Sequence, residues 1–83
     1  RHESMSTIIA IRGDGAITVN NIPTLYKDLT ESLRLEIDSG GNRKVMVRAD
    51  ASASTADVVA VLRHAEKAGI ERIAIATQPA SSP

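Results

Sequence analysis

The chain has 83 residues; ten Lys and Arg balance ten Asp and Glu, 42% of residues are hydrophobic, and Tyr26 is the single aromatic. That length suits one domain rather than two, and that hydrophobic content suits a folded chain rather than a disordered one. Zero net charge offers no field to a phosphate polymer and a lone ring offers no platform for stacked bases, which argues against nucleic-acid binding. With no cysteine in the sequence, disulfides and thiolate metal sites are excluded. No apolar run approaches the ~20 residues that cross a bilayer. The opening residues Arg1 to Met5 lack the pattern of a secretion signal. A core without rings must be assembled from Ile, Val, Leu and Ala.

Thr7-Ile8-Ile9-Ala10-Ile11-Arg12 is short and β-branched, and it ends at Gly13-Asp14-Gly15. Ala16 to Asn20 follows, with Ile17 and Val19 alternating against polar neighbours. Two such runs about an Asp-Gly step predict a β-hairpin, because glycine accepts the positive φ of a tight turn. No helix opens after these glycines, so a phosphate-cradling loop is the weaker reading. Asn21-Ile22-Pro23 reads as a break, after which Thr24 is placed to cap a helix.

Leu25, Leu29, Leu33 and Ile37 recur every four residues and form the apolar stripe of that helix, with Leu35 off it. Ser39-Gly40-Gly41 supplies the stop. Lys44 to Ala49 predicts a strand with Val45, Val47 and Ala49 on one face, and Asp50 to Ala53 lead into a second helix. Ser54 with Asp57 resembles a capping box; Val58, Val61, Leu62, Ala65 and Ala68 form the buried stripe. Gly69 ends the helix and lets Ile70 pack back on its last turn. Glu71 to Thr77 is the last strand, and the residues from Gln78 onward form a frayed tail.

The expected order is ββαβαβ. It describes an α/β (α+β) domain with a small mixed sheet of four to five strands and two helices on one face. The segment from Val45 to Ala76 is a βαβ unit, so its strands are expected to be parallel with a right-handed crossover. The inward set is Ile9, Ile11, Ile17, Val19, Val45, Val47, Ile73 and Ile75. The opposite face carries Ile8, Ala10, Thr18, Met46, Arg48, Arg72, Ala74 and Ala76, a mixture suited either to a half-wet sheet or to a partner.

Catalytic chemistry finds little support. His2 lies in the opening residues. His64 is expected on the charged side of the second helix as a solvated side chain, with no second ligand at helical spacing. Asp14 reads as a turn residue between glycines. Arg48 and Asp50 form a polar pair at a strand end, where α/β proteins often place functional groups, although an ion pair or a cap explains them equally well. Ser52, Ser54 and Thr55 have no base positioned to activate them. The expectation is a protein that is not an enzyme and needs no cofactor or metal.

Several stretches carry a resemblance: Asp14-Gly15-Ala16-Ile17-Thr18-Val19-Asn20, Ile22-Pro23 with Leu25 and Leu29, and Val45-Met46-Val47-Arg48-Ala49-Asp50 with Val58-Val59 and Val61. So does Ala65 to Thr77, with its Ala-Gly-Ile turn, and the closing Thr77-Gln78-Pro79. In this order and spacing, from Thr7 to Pro79, they resemble the periplasmic domain of the ExbD/TolR family of biopolymer transport proteins. The resemblance implies a subunit anchored in the inner membrane by one N-terminal helix, whose aspartate lies on the proton path beside an ExbB/TolQ-type partner. It further implies coupling of the proton-motive force to a TonB/TolA-type protein, peptidoglycan binding in TolR-like members, and a homodimer.

The membrane helix is missing from this sequence. The expectation is therefore an excised periplasm-facing domain over residues 7–78, with residues 1–6 a disordered start or expression remnant and 79–83 a flexible tail.

Recognition is expected to proceed by strand addition at an open sheet edge. The first strand, with Thr7, Ile9 and Ile11, and the last, with Arg72, Ile73, Ile75 and Thr77, are the candidate dimer or partner contacts, since neither holds a guarding proline. The competing reading is that these residues only fill the core. As a whole-protein alternative, a small cytoplasmic regulatory domain would bind a metabolite near Arg48-Ala49-Asp50 and Gly13-Asp14-Gly15. A purely structural assembly domain is a third reading.

Overall fold

Seven elements follow one another: β1 (Thr7–Ile11), β2 (Ile17–Val19), β3 (Ile22–Thr24), α1 (Tyr26–Asp38), β4 (Lys44–Asp50), α2 (Thr55–Lys67) and β5 (Arg72–Gln78). The computed structural model describes residues 7–38 and 44–78. The expected helix stop at Ser39-Gly40-Gly41, and the expectations for residues 1–6 and 79–83, fall outside the described residues. The five strands form one mixed sheet in the order β3-β2-β1-β4-β5. β2 pairs antiparallel with both β1 and β3, whereas β4 runs parallel to both β1 and β5.

The β1–β2 hairpin closes as the Asp-Gly step predicts. The Gly15 amide donates to the Arg12 carbonyl at 3.0 Å, and the Arg12 amide donates to the Ala16 carbonyl at 2.8 Å. Gly15 takes φ +92°, and Asp14 Oδ1 accepts from the Ala16 amide at 3.0 Å. Asp14 is thus a turn residue, its carboxylate spent on the backbone two residues ahead.

The expected break at Asn21-Ile22-Pro23 is corrected. Asn20 and Asn21 take φ values of 51° and 70° and join Val19 to Ile22 through a two-residue turn of the kind that suits a twisted hairpin. Pro23 is accommodated because β3 is an edge strand paired only with β2, so its missing N–H costs no ladder bond. The Asn20 side chain also extends the sheet. Its Oδ1 accepts from the Ile8 amide at 2.9 Å, its own amide donates to the Ile8 carbonyl at 2.8 Å, and Nδ2 reaches Glu36 Oε1 of α1 at 3.3 Å.

Because Thr24 belongs to β3, it does not cap α1; its Oγ1 donates to the Ile22 carbonyl at 2.9 Å. The helix starts at Tyr26, and Leu25, ahead of the first turn, is 62% exposed. Leu29 and Leu33, one turn apart, are fully buried, and Ile37 is half-buried.

At α2 the Ser54 half of the expected capping box and the glycine stop both form. Ser54 Oγ accepts from the Asp57 amide at 3.0 Å. Gly69, at φ +89°, closes the helix with Gly69 N–H to Glu66 O at 3.0 Å and Ile70 N–H to Ala65 O at 3.1 Å. That pair of bonds satisfies two carbonyls the helix end would otherwise leave open, and it turns Ile70 onto the core.

The core consists of Ile9, Ile11, Ile17, Val19, Val45, Val47 and Ala49 from the sheet with Leu29, Leu33, Val61, Ala65 and Ala68 from the helices. All the buried strand residues occupy one face, so both helices cover that face and the other stays open, giving two layers. His64 is a correction: it is half-buried, not solvated, with Nδ1 2.8 Å from Thr30 Oγ1 of α1. The flank of a helix that meets a neighbouring helix is a second buried surface, beside the stripe that meets the sheet. Arg34 Nη2 strengthens the same seam by donating to the Lys67 carbonyl at 3.0 Å, near the end of α2 where unsatisfied carbonyls favour a cation.

Candidate functional site

Strand order decides which of the expected contact residues can meet a partner. β1 lies at the centre of the sheet, paired on one side with β2 and on the other with β4. Thr7, Ile9 and Ile11 are buried there, at 5%, 0% and 2% exposure. The expectation that β1 offers an open edge is therefore corrected: a strand with both ladders filled has no backbone groups left to share.

The two edges are β3 and β5, and they differ. β3 has three residues with Pro23 in the middle, a short and guarded edge of the kind that resists pairing. β5 has seven residues and no proline, and it pairs with β4 alone along Arg72 to Gln78. Ile73 is half-buried against the core, whereas Arg72, Ala74, Ile75, Ala76 and Thr77 are exposed. β5 also runs through Gln78, one residue beyond the expected strand. The expected inward set holds except at its last member: Ile75 lies on the helix-covered face but is 52% exposed. The helices cover the sheet from β2 to β4 and leave the outer half of β5 bare.

Among the described residues no helix lies over the opposite face. Ile8, Ala10, Thr18 and Met46 are half-buried there, and Arg48, Ala74 and Ala76 are exposed. Arg48 stands level with Ala10 on one side and Ala76 on the other, so its side chain rises between two methyl groups. Asp50, on the same face of β4, is drawn away: its Oδ2 accepts from both the amide, at 2.9 Å, and the hydroxyl of Ser52. The sequence pair Arg48 and Asp50 thus divides into a surface cation and a turn-forming carboxylate.

The two loops required by the metabolite-binding alternative do come together. Gly13 packs so closely on the β4–α2 loop that an added Cβ would overlap Ser52 Oγ and stand 3.3 Å from Asp50 Oδ2. Contact of that kind fills the space a ligand would need. A shallow groove of about 490 Å³ lies further along, between the hairpin turn, β3 and the start of α1, and its walls include Ile17, Pro23, Leu25 and Tyr26. The Tyr26 hydroxyl is buried without a hydrogen-bond partner among the described residues. Burial raises its pKa above the usual 10, and the nearby Asp57 carboxylate, which stands outside hydrogen-bond geometry, raises it further.

The missed features had partial signals. Asn20-Asn21, two residues that tolerate positive φ, between the β-branched Val19 and Ile22 is a hairpin signal that would have revealed β3. The exposure of Ile75 had none, since it depends on how far the helices extend over the sheet. Among the described residues no three His, Asp or Glu side chains converge as metal ligands, and no helix is long and apolar enough to cross a membrane.

These features define a class: a two-layer α/β domain with one sheet face and one long sheet edge left open. The family model described as Biopolymer transport protein ExbD/TolR matches residues 2–80, nearly the whole chain. The chain belongs to the ExbD/TolR family of biopolymer transport proteins. Among curated proteins no relative matches.

Proposed function

We propose that this domain is the periplasm-facing, non-catalytic part of an inner-membrane subunit that couples the proton-motive force to transport or envelope integrity. In this reading an ExbB/TolQ-type protein supplies the partner for ion flow, and a TonB/TolA-type protein receives the output. The proton-handling step belongs to a membrane helix outside this chain, because such a step needs an ionisable group on an ion path. What falls to the domain is recognition. The β5 edge accepts an extended strand, either from a sister chain to form a homodimer or from the energy transducer. Peptidoglycan is a further candidate for the open face, whose polar and methyl groups suit a sugar polymer.

The observation that supports strand addition is the contrast between the edges: β5 is long and unguarded, while β3 is short and holds Pro23. Backbone groups along one side of β5 supply affinity, and the exposed Ile75 supplies an apolar contact that water-facing edges normally lack. The test is an amide NMR titration of this chain with the periplasmic segment of a TonB/TolA-type protein, repeated against concentration for self-association. Shifts concentrated on Arg72 to Gln78 are expected; an unchanged β5 in both series would refute strand addition.

A further inference from the structure

We infer that the β5 edge selects an acidic partner strand: one with carboxylates four residues apart on its open-face side and apolar residues on its helix-side positions. The inference rests on the strand-addition reading of the same edge and adds the chemistry of what is added. Alternation fixes the two sides of β5. Arg72, Ala74 and Ala76 point to the open face, and Ile73, Ile75 and Thr77 to the helix face, in register with Lys44, Met46 and Arg48, and with Val45, Val47 and Ala49, respectively.

The open face near β5 is cationic although the chain as a whole is neutral. Arg48 and Arg72 stand exposed there, and the one carboxylate of that face of β4, Asp50, is turned to Ser52. The Arg48 guanidinium makes no hydrogen bond or ion pair with another described residue. An incoming strand would lie one spacing beyond β5, putting its residue opposite Ala76 about 9–10 Å from the Arg48 backbone. A carboxylate and a guanidinium side chain together span that gap, and only the Ala76 methyl lies between. At the other end, a residue opposite Arg72 is its direct cross-strand neighbour, where an opposite charge is favourable and a like charge is not.

Arg72 and Ala76 are four residues apart, so the two acidic positions of the partner are too. Between them, the positions beside Ile73 and Ile75 face the uncovered end of the core and favour apolar side chains. Acid, apolar, any, apolar, acid reads the same in both directions, so the requirement holds for a parallel or an antiparallel strand. A second copy of β5 does not meet it, because Arg72 to Gln78 contains no acidic residue. Charge complementarity therefore points to a strand from a different protein.

The probe is a short capped peptide with glutamates four residues apart and valines at the two alternating positions between them, compared with its glutamine counterpart. Amide titrations of this chain at low salt are expected to place shifts on Arg72 to Gln78 for both, with the glutamate peptide roughly two- to fivefold tighter. Arg48→Gln should reduce that advantage, and Arg48→Glu should reverse it in favour of a lysine peptide. Both variants change an exposed side chain, and an unaltered amide spectrum outside β1, β4 and β5 confirms their folding. Equal binding of the glutamate and glutamine peptides at β5 would overturn the charge requirement while strand addition stood. Shifts absent from β5 for every peptide would overturn both.

Discussion

Ile75 stands level with Val47 in the parallel β4–β5 ladder and on the same face of the sheet, yet Val47 is fully buried and Ile75 is 52% exposed. One strand spacing separates a core residue from a surface one. The contrast yields a paired prediction. Val47→Asp places an uncompensated carboxylate in the core, at a cost comparable to the whole stability of a domain this size, roughly 4–12 kcal/mol. It should leave the chain unfolded by circular dichroism. Ile75→Asp should cost about 1 kcal/mol or less while abolishing peptide-induced shifts along β5. Retained binding by a folded Ile75→Asp variant would remove Ile75 from the contact.

Leu33 of α1 is fully buried in the core that the strands and both helices share. Leu33→Ala should destabilise the domain by about 2–5 kcal/mol, the usual range for a buried leucine truncated to leave a cavity. Leu35, on the same helix but 60% exposed, is the control. Leu35→Ala should stay within about 0.5 kcal/mol in urea melts.

Gly13 is required by close approach. An alanine methyl there would overlap Ser52 Oγ, while Ser52 Cβ stands at 3.5 Å, an ordinary contact. Gly13→Ala should cost about 1–3 kcal/mol as an overpacking substitution. Ser52→Ala in the same chain should recover part of that loss, because it removes the worst overlap and leaves only the tight approach to Asp50 Oδ2 at 3.3 Å. A double-mutant cycle measures the coupling; simple additivity would show that the two loops do not press on each other.

Tyr26 connects stability to alkaline pH. Its folded-state pKa is raised, first by burial and then by the Asp57 charge, so the folded state holds the phenol proton more tightly than the unfolded state does. The stability this contributes is fully present below the unfolded value near 10 and is lost as pH rises through the folded value. Urea melts compared between pH 8 and pH 11 should show a loss that Tyr26→Phe diminishes. At neutral pH the same substitution should be neutral or stabilising by up to about 1 kcal/mol, since it removes a buried hydroxyl that has no partner among the described residues.

Pro23 guards the second edge. Pro23→Thr restores a backbone N–H on the outer strand and should lengthen or open the β3 edge to pairing. Light scattering against concentration should then show self-association beyond that of the parent chain. An unchanged profile would mean that the length of β3, three residues, protects the edge without the proline.

The sequence by itself determined whatever rests on neighbours along the chain. The Asp14-Gly15 turn, the Ser54 cap, the Gly69 stop and the alternation of Val45, Val47 and Ala49 are all local, and each forms as its residue types require. The stripes containing Leu29, Leu33, Val61 and Ala65 are set by helical spacing and are buried accordingly. The family resemblance likewise needed only order and spacing, and the match over residues 2–80 agrees with it.

Tertiary structure decided everything that depends on what stands beside a strand or a helix. Periodicity says that Ile9 and Ile75 share a face; it is silent on whether their strands lie at the centre of the sheet or at its rim. Pairing between distant segments put β1 in the middle and β5 outside, and with that the candidate contact passed from two strands to one. His64 came into the helix seam for the same reason, because α1 lies against its flank. Backbone pairing and layer coverage are long-range quantities, and a side-chain pattern records which way a residue points but not how far the covering layer reaches.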